Sequence, residues 1–385
     1  MQRYYLMNKD KKVAAIDVSE LFSGAYRFDV TEQYDSYMPC NYTGRIEAWI
    51  DERQAAKHHK AVKAMMIEAG IFDHKGFIDM TRCLSLTDTF WIKSETSEDT
   101  WDSVSLYTND FNEVISHIAF DGAGLYGRQL EKTSPELTTD GQFPKCWIRD
   151  EQGIYLLKRG TDGEASAGME PYCEALSSQL LASTGMNSVR YDLVKYHKRV
   201  ASKCELFTSE AYGFVNYISA NQGKNALSDV MDFYMGTPME EQFREMVVFD
   251  AVTVNTDRHP GNFGVIVDND NGDIVRMAPV FDMNLSNLPG LMEGDDFEQY
   301  YKEFARPSSI GNDFITAAQA MLTSDIRAKL IALKDFKYED PGCDCPAWKI
   351  DSVNRIKDRQ INAILNVGPT FSFMKQDEDT EGVLC

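Results

Sequence analysis

The stretch VNTDRHPGNFGVIVDNDNGDIVRMAPVFDMNLS, Val254–Ser286, decides how this chain is read. Asp257, Arg258, His259 and Asn262 crowd into six residues near its start. The preceding MEEQFREMVVFDAVTVN predicts a helix from Met239 to about Val254. Pro260–Gly261 cannot continue that helix, so the polar cluster lies on a loop. Phe263–Asp268 and Asp273–Ala278 then read as strands, with NDNG as the tight turn between them. Antiparallel strands joined by a short turn bring their far ends together. Asn262, before the first strand, is therefore expected beside Pro279–Asp282, after the second. Asp257 lies five residues before Asn262 on the same loop. One hairpin thus gathers Asp257, Asn262 and Asp282, although 25 positions separate the outer two.

Hard oxygen donors gathered in this way suit Mg²⁺. A carboxamide and a carboxylate as metal ligands, with a further carboxylate upstream, are also the parts that phosphoryl transfer uses. There an Asp orients the acceptor hydroxyl and takes its proton, while an Asn and a second Asp hold the metal at the phosphates. The Asp257-to-Asn262 spacing equals that of the kinase H-R-D-x-x-x-x-N loop. His259, however, follows the aspartate instead of preceding it.

That reversed order, D-R-H-x-x-N with a later Asp, resembles the phosphoinositide-kinase-like group. The fuller pattern N-x-D-R-H-x-x-N-x-G, here Asn255, Asp257, Arg258, His259, Asn262 and Gly264, resembles the HipA-like serine/threonine kinases. The resemblance covers roughly 130–370. Within it, SPELTTDGQFPKCW resembles the nucleotide-covering loop, GIYLLKRG the lysine strand, and EALSSQLLASTG the helix that follows. One departure is FDMN, where ordinary kinases carry D-F-G. The resemblance implies an α+β, bilobal protein-kinase-like fold, with a small β-rich N-lobe, a mainly helical C-lobe and an N-terminal α/β accessory region. It implies ATP and Mg²⁺ as cofactors, and a Ser or Thr hydroxyl of a protein, the chain's own included, as acceptor.

The implied roles fall on particular residues. Asp257 is the proton acceptor, and His259 and Arg258 steady its loop. Asn262 and Asp282 hold the metal. Lys158 lies on the phosphates, and a helix acid holds Lys158; Glu174 is preferred to Glu170 because it begins the family-like helix. Thr138, Thr139, Gly141 and Gln142 wrap the phosphates, with Gly141 permitting close backbone approach. SKCELF, Ser202–Phe207, falls where an inter-lobe hinge meets adenine, with Glu205 and Phe207 nearest the base. Plainer readings stand beside these. Asp257 and Asn262 are common turn formers, Asp282 suits a helix N-cap, and an acid in a first helical turn is favoured by the dipole alone. Thr138–Gln142 also reads as an ordinary hairpin turn. Asn255 is either the last residue of its helix or a support for Asp257.

The length of 385 residues predicts two or three domains, and 43% apolar, 11% aromatic and 26% charged residues describe a folded chain. YYLMNKDKKVAAIDV reads as two short strands around Asn8–Lys11, and the pattern from Arg45 to Ala69 as helical. Lys145–Arg149 and Ile154–Lys158 read as a hairpin, whose Lys158 would also be an ordinary exposed lysine at a strand end. VRYDLVKYHKRVASKCELF reads as another pair of strands, and the rest as helical apart from the opening stretch. The expected divisions are 1–130, an accessory region; 131–205, the N-lobe; 206–375, the C-lobe; and 376–385, an acidic, disordered tail. A net charge of −21 disfavours direct nucleic-acid contact and anionic membrane surfaces. No run reaches the roughly 18 apolar residues of a membrane span, and MQRYYLMNKDKK lacks a signal-peptide core. Eight scattered cysteines read as free thiols in a reducing, cytoplasmic setting. The expected partners are ATP, a protein substrate and, in a toxin–antitoxin pair, an antitoxin. Two other functions fit the same residues: a small-molecule or lipid kinase, which shares the D-R-H-x-x-N loop, and a nucleotide-binding regulatory or toxin module without turnover.

Overall fold

The computed structural model describes residues 1–40, 42–54, 60–122, 133–163, 166 and 168–366. Its first sheet begins with the expected pair around Asn8–Lys11. β1 (Gln2–Asn8) and β2 (Lys11–Glu20) are antiparallel, and Lys9 takes a left-handed φ of 50° in the turn. β3 (Tyr26–Gln33), α1 (Ile46–Arg53), α2 (Lys60–Glu68), α3 (His74–Thr81), β4 (Phe90–Ser94), α4 (Trp101–Val104) and α5 (Glu113–Asp121) follow. The strand order is β3-β2-β1-β4. Leu6, Ile16, Trp49, Met65, Phe77 and Ile118 share a core between this sheet and its helices. The single helix that the pattern from Arg45 to Ala69 suggests is instead α1 and α2. Gln54 leaves the helical region, with φ −78° and ψ 67°, and Arg53 turns inward to donate to the Cys83 carbonyl at 3.0 Å.

The second sheet holds the predicted hairpin β5 (Lys145–Asp150) and β6 (Gly153–Arg159), then β7 (Asp192–Tyr196) and β8 (Arg199–Glu205), in the order β5-β6-β8-β7. α6 (Glu170–Ser183) lies between β6 and β7 in the chain, with Pro171 in its first turn. Its Leu176, Leu180 and Leu181 join the largest core, which belongs mainly to the helices further on.

The remainder comprises β9 (Tyr212–Asn216), α7 (Tyr217–Ala220), α8 (Leu227–Tyr234), α9 (Glu240–Thr253), β10 (Gly264–Asp268), β11 (Ile274–Met277), α10 (Phe297–Phe304), α11 (Phe314–Met321), α12 (Ser324–Ala332) and α13 (Ala347–Leu365). The reading of this part as helical apart from one hairpin missed β9, which pairs with β10 to make a three-stranded sheet. The two backbones run so close at Gly264 that a Cβ there would stand 2.7 Å from Asn216 Cα, so only glycine fits. α9 is buried from Glu245 through Thr253 and packs against α11 and α13.

The first sheet touches both other parts. Trp147 and Ile154 of the β5–β6 hairpin share a core with Met7, Leu84 and Trp91. Asn8 Nδ2 donates to the Asn269 carbonyl at 2.6 Å, and Lys9 pairs with Asp270 at 2.6 Å, both in the β10–β11 turn. The expected boundary near 130 and the acidic tail 376–385 lie outside the described residues, as does Cys385. All other cysteines are free thiols. Among the described residues no helix is long and apolar enough to cross a membrane.

Candidate active site

The loop after α9 is built around a buried ion pair. Arg258 Nε and Nη2 donate to the two oxygens of Asp250, at 2.8 and 3.0 Å. Arg258 Nη1 also donates to the Asn262 carbonyl at 2.6 Å and to the Phe281 carbonyl at 2.8 Å. One guanidinium therefore ties the loop to the residue before Asp282, closing the open end of the β10–β11 hairpin. Asn255 supports the loop from below. Its amide donates to Asp250 at 2.9 Å, and its Oδ1 accepts the Asp257 N–H at 3.2 Å. Asn262 Nδ2 donates to the Asp257 carbonyl at 3.0 Å. The strain of this turn is borne by Val254, a β-branched residue held at φ 50°.

The sequence alone did not single out Asp250 as the partner of Arg258. Its signal was an acid inside the apolar VVFDAV, eight residues before Arg258. Arg258→Met is expected to destabilise the fold by about 3–5 kcal/mol, because it strands a buried carboxylate. Urea denaturation checks this, and Arg258→Met with Asp250→Leu should recover most of the loss.

Lys158 stands at the meeting point of the second sheet, α6 and the hairpin. It is buried, not an exposed strand-end lysine. Its Nζ pairs with Glu174 Oε1 and, at 2.8 Å, with Asp282 Oδ1. Glu174 is fully buried and also accepts the Ser202 hydroxyl at 2.5 Å and the Met283 N–H at 3.3 Å. Of the two acids on α6, then, Glu174 meets the lysine, while Glu170 accepts the Thr161 hydroxyl at 2.6 Å. Asp282 takes a left-handed φ of 56° and donates its N–H to the Tyr191 hydroxyl at 3.1 Å. The Tyr191 ring also lies 5.2 Å from Lys158 Nζ.

The charges of this cluster depend on one another. Burial alone would raise the Asp282 carboxyl, but Lys158, Lys145 and Arg258 hold it below its ordinary value. Burial would lower Lys158, and Asp282 and Glu174 reverse that. For Glu174, burial wins over Lys158, and its pKa is raised. Asp257 is half-buried, and burial with the nearby Asp282 charge raises its pKa against the pull of His259 and Arg258. His259 is exposed, and its Nδ1 accepts the Gly261 N–H at 3.1 Å within the loop.

The residues assigned to the nucleotide spread more widely. Thr138 Oγ1 donates to the Leu84 carbonyl, and Thr139 Oγ1 to the Pro135 carbonyl, each at 2.8 Å. Both hydroxyls therefore bind the chain's own backbone. Gly141 takes φ 105°, with the Lys145 ammonium beside it and donating to the Asp140 carbonyl, and Gln142 is exposed. Lys145 pairs across the hairpin with Lys158, and burial pushes it down to about 8. No sequence motif singled out Lys145 or Tyr191. Glu205 ends β8, and the Phe207 ring packs 5.5 Å from Phe281 and 5.6 Å from Phe214, under the exit from the second sheet.

The chain is similar to HipA of Shewanella oneidensis MR-1, solved as a toxin–antitoxin complex of HipA, HipB and operator DNA. The identity is 11%, over 95% of this chain and 100% of that one, with a TM-score of 0.52. A second similar structure is the Helicobacter pylori proinflammatory kinase CtkA, at 18% identity over 59% of this chain and 92% of that one, with a TM-score of 0.46. No protein-family model and no curated protein matches the chain. The likeness to HipA establishes the fold. It is kinase-like, with a β-sheet lobe and helices, as the D-R-H-x-x-N resemblance implied.

Proposed function

We propose that the chain is an ATP- and Mg²⁺-dependent kinase of the HipA type that phosphorylates a Ser or Thr hydroxyl of a protein. One observation carries this reading. Lys158 joins Glu174 to Asp282, while Arg258 holds the Asn262 loop against the residue before Asp282. A lysine held by a helix acid, beside an Asp and an Asn, is the set that phosphoryl transfer needs. The donor set also fits the metal. Asn262 uses its Nδ2 on the Asp257 carbonyl, no hydrogen bond reaches its Oδ1 among the described residues, and Asp282 is held below its ordinary pKa. Bound there, Mg²⁺ would neutralise charge developing on the β- and γ-phosphates. Two protein oxygens are too few for its six-fold shell, so phosphate and water must complete it.

The side chains divide the work. Glu174 and Asp282 aim the Lys158 ammonium at the phosphates. Asp257 orients the acceptor hydroxyl and takes its proton as the new O–P bond forms and the bond from the γ-phosphorus to the bridging oxygen breaks, releasing ADP. Its raised pKa makes it a better base near neutrality than an ordinary Asp. His259 and Arg258 hold its loop, Gly141 and its neighbours close over the phosphates, and Glu205–Phe207 meets the base. In this reading the lobes are 131–205 and 206–375.

Incubation of the pure chain with γ-labelled ATP and Mg²⁺ tests the proposal. Label should appear on Ser or Thr of a protein, and EDTA should abolish both transfer and tight ATP binding. Label on extracted metabolites or lipids instead would favour a small-molecule kinase. ATP affinity equal with and without Mg²⁺ would refute the metal assignment. A second reading, a nucleotide-binding toxin half held by an antitoxin, is favoured by the likeness to HipA in its complex with HipB and operator DNA. It predicts ATP binding with no label transfer. With a net charge of −21, the DNA contacts of such an assembly would fall to the partner.

A further inference from the structure

Far from the Lys158 cluster in chemistry, a group of nitrogen donors sits where the first sheet's helices meet the second sheet. α5 presents His117 and Asp121 four residues apart, so both lie on one exposed face. The turn between β7 and β8 brings His197 against them. His197 Nδ1 lies 2.8 Å from Asp121 Oδ2, and His117 Nδ1 lies 3.6 Å from the same oxygen. The two imidazoles stack, with centroids 4.3 Å apart and planes 20° from parallel, so an ion in the plane of both rings requires the more exposed His117 to turn out of the stack. One ligand atom from each of the three residues falls within 4.8 Å of the others, and no other group of His, Cys, Asp and Glu does so among the described residues.

The turn that carries His197 gives a second argument. Tyr196 pairs with Arg199, which leaves His197 and Lys198 as a two-residue loop with φ 46° and 63°. Such loops favour Asn-Gly, because other side chains resist the left-handed region. Here an imidazole occupies the strained position, and its ring is fixed by Tyr196, stacked at 4.0 Å, and by Phe120, edge-on at 5.9 Å. Such an outlier at an exposed side chain is a reason to look for a function there. Two imidazoles and a carboxylate are a three-ligand set for Zn²⁺, with water as the fourth ligand. Bonds of about 2.0–2.1 Å in a tetrahedron set neighbouring ligand atoms about 3.3 Å apart. Two of the three ligand pairs, at 2.8 and 3.6 Å, lie on either side of that value, the shorter being also a hydrogen-bond distance.

We propose that His117, Asp121 and His197 bind a divalent transition metal ion, Zn²⁺ by ligand chemistry, which clamps α5 to the β7–β8 hairpin. The site is independent of the kinase reading and differs in kind from the oxygen set at Asn262 and Asp282, which suits Mg²⁺.

The test titrates Zn²⁺ into the metal-free full chain by calorimetry, with excess Mg²⁺ present to occupy oxygen sites. His197→Asn removes the imidazole with a residue that tolerates the left-handed turn, and His117→Gln removes the second. The melting temperature of each variant without metal is the baseline against which its response to Zn²⁺ is read. The parent is expected to bind one Zn²⁺ and to melt at a higher temperature with it. Each variant should bind at least about 10-fold more weakly, the lower end of what losing even an outer-shell partner costs. Cys343→Ser with Cys345→Ser should bind as the parent does. No Zn²⁺ uptake by the parent, or uptake that survives both histidine substitutions, overturns the proposal. So does uptake lost only with the cysteines.

Discussion

Asp257→Asn is expected to slow phosphoryl transfer by about 10²- to 10⁴-fold, the usual loss when a general base is removed. Asn keeps the shape of the side chain and cannot accept the hydroxyl proton. ATP affinity should stay at the parent value, because Asp257 is assigned to neither nucleotide nor metal. Rapid-quench turnover, calorimetric ATP titration and thermal melting of one variant separate three roles. A metal ligand loses Mg·ATP affinity along with rate. A turn former loses melting temperature and little rate. Near-parental turnover removes the residue on which the kinase proposal turns and leaves the nucleotide-binding toxin module in front. The parent's rate should also fall on acidification, earlier than an ordinary Asp predicts. The raised pKa of Asp257 means that protonation, and loss of the base, sets in at a higher pH.

Lys158→Met is expected to abolish tight ATP use and to destabilise the chain as well. A lysine merely reaching from a strand end would leave the fold untouched. Here its removal strands Glu174, which is fully buried beside Asp282. Breaking a buried pair on one side costs about 3–5 kcal/mol. The pH dependence has a definite sign. Glu174 already has a raised pKa from burial, and without the lysine it rises further. Below the ordinary value of 4.5 the carboxyl is protonated whether folded or not, and the deficit of the variant is small. Above it, the unfolded chain releases a proton that the folded chain retains, so stability falls as pH rises toward the raised value. Urea midpoints of parent and variant across that range check this. Lys158→Met with Glu174→Gln should regain stability and not phosphoryl transfer. A single variant that is inactive yet as stable as the parent at neutral pH would show that Lys158 is not the counter-ion of Glu174.

Much of the architecture was legible because it is written locally. Alternation and turn residues mark β1–β2, β5–β6, β7–β8 and β10–β11, and each is a hairpin whose strands are neighbours in sequence. β9 was missed for the opposite reason. YGFVN is short and carries little pattern of its own, and it is a strand because β10, half a hundred residues on, offers it an edge. The helix expected from Arg45 breaks at Gln54, whose ψ of 67° leaves the helical region, and no proline or glycine stands there to signal the break.

By itself the sequence determined that Asn262 and Asp282 belong to the two open ends of one hairpin, with Asp257 on the adjoining loop. Few residues intervene, and proline, glycine and the strand period leave the backbone little choice. Only the tertiary structure decided which charges meet. The Lys158–Glu174 pair was implied by the family resemblance, but that Asp282 joins it from 124 positions beyond the lysine, and that Asp250 is the counter-ion of Arg258, only the packing reveals. The reason is physical. Local hydrogen bonding selects the path of the chain, but a buried charge is tolerable only beside its opposite, and that opposite can arrive from anywhere the core brings it.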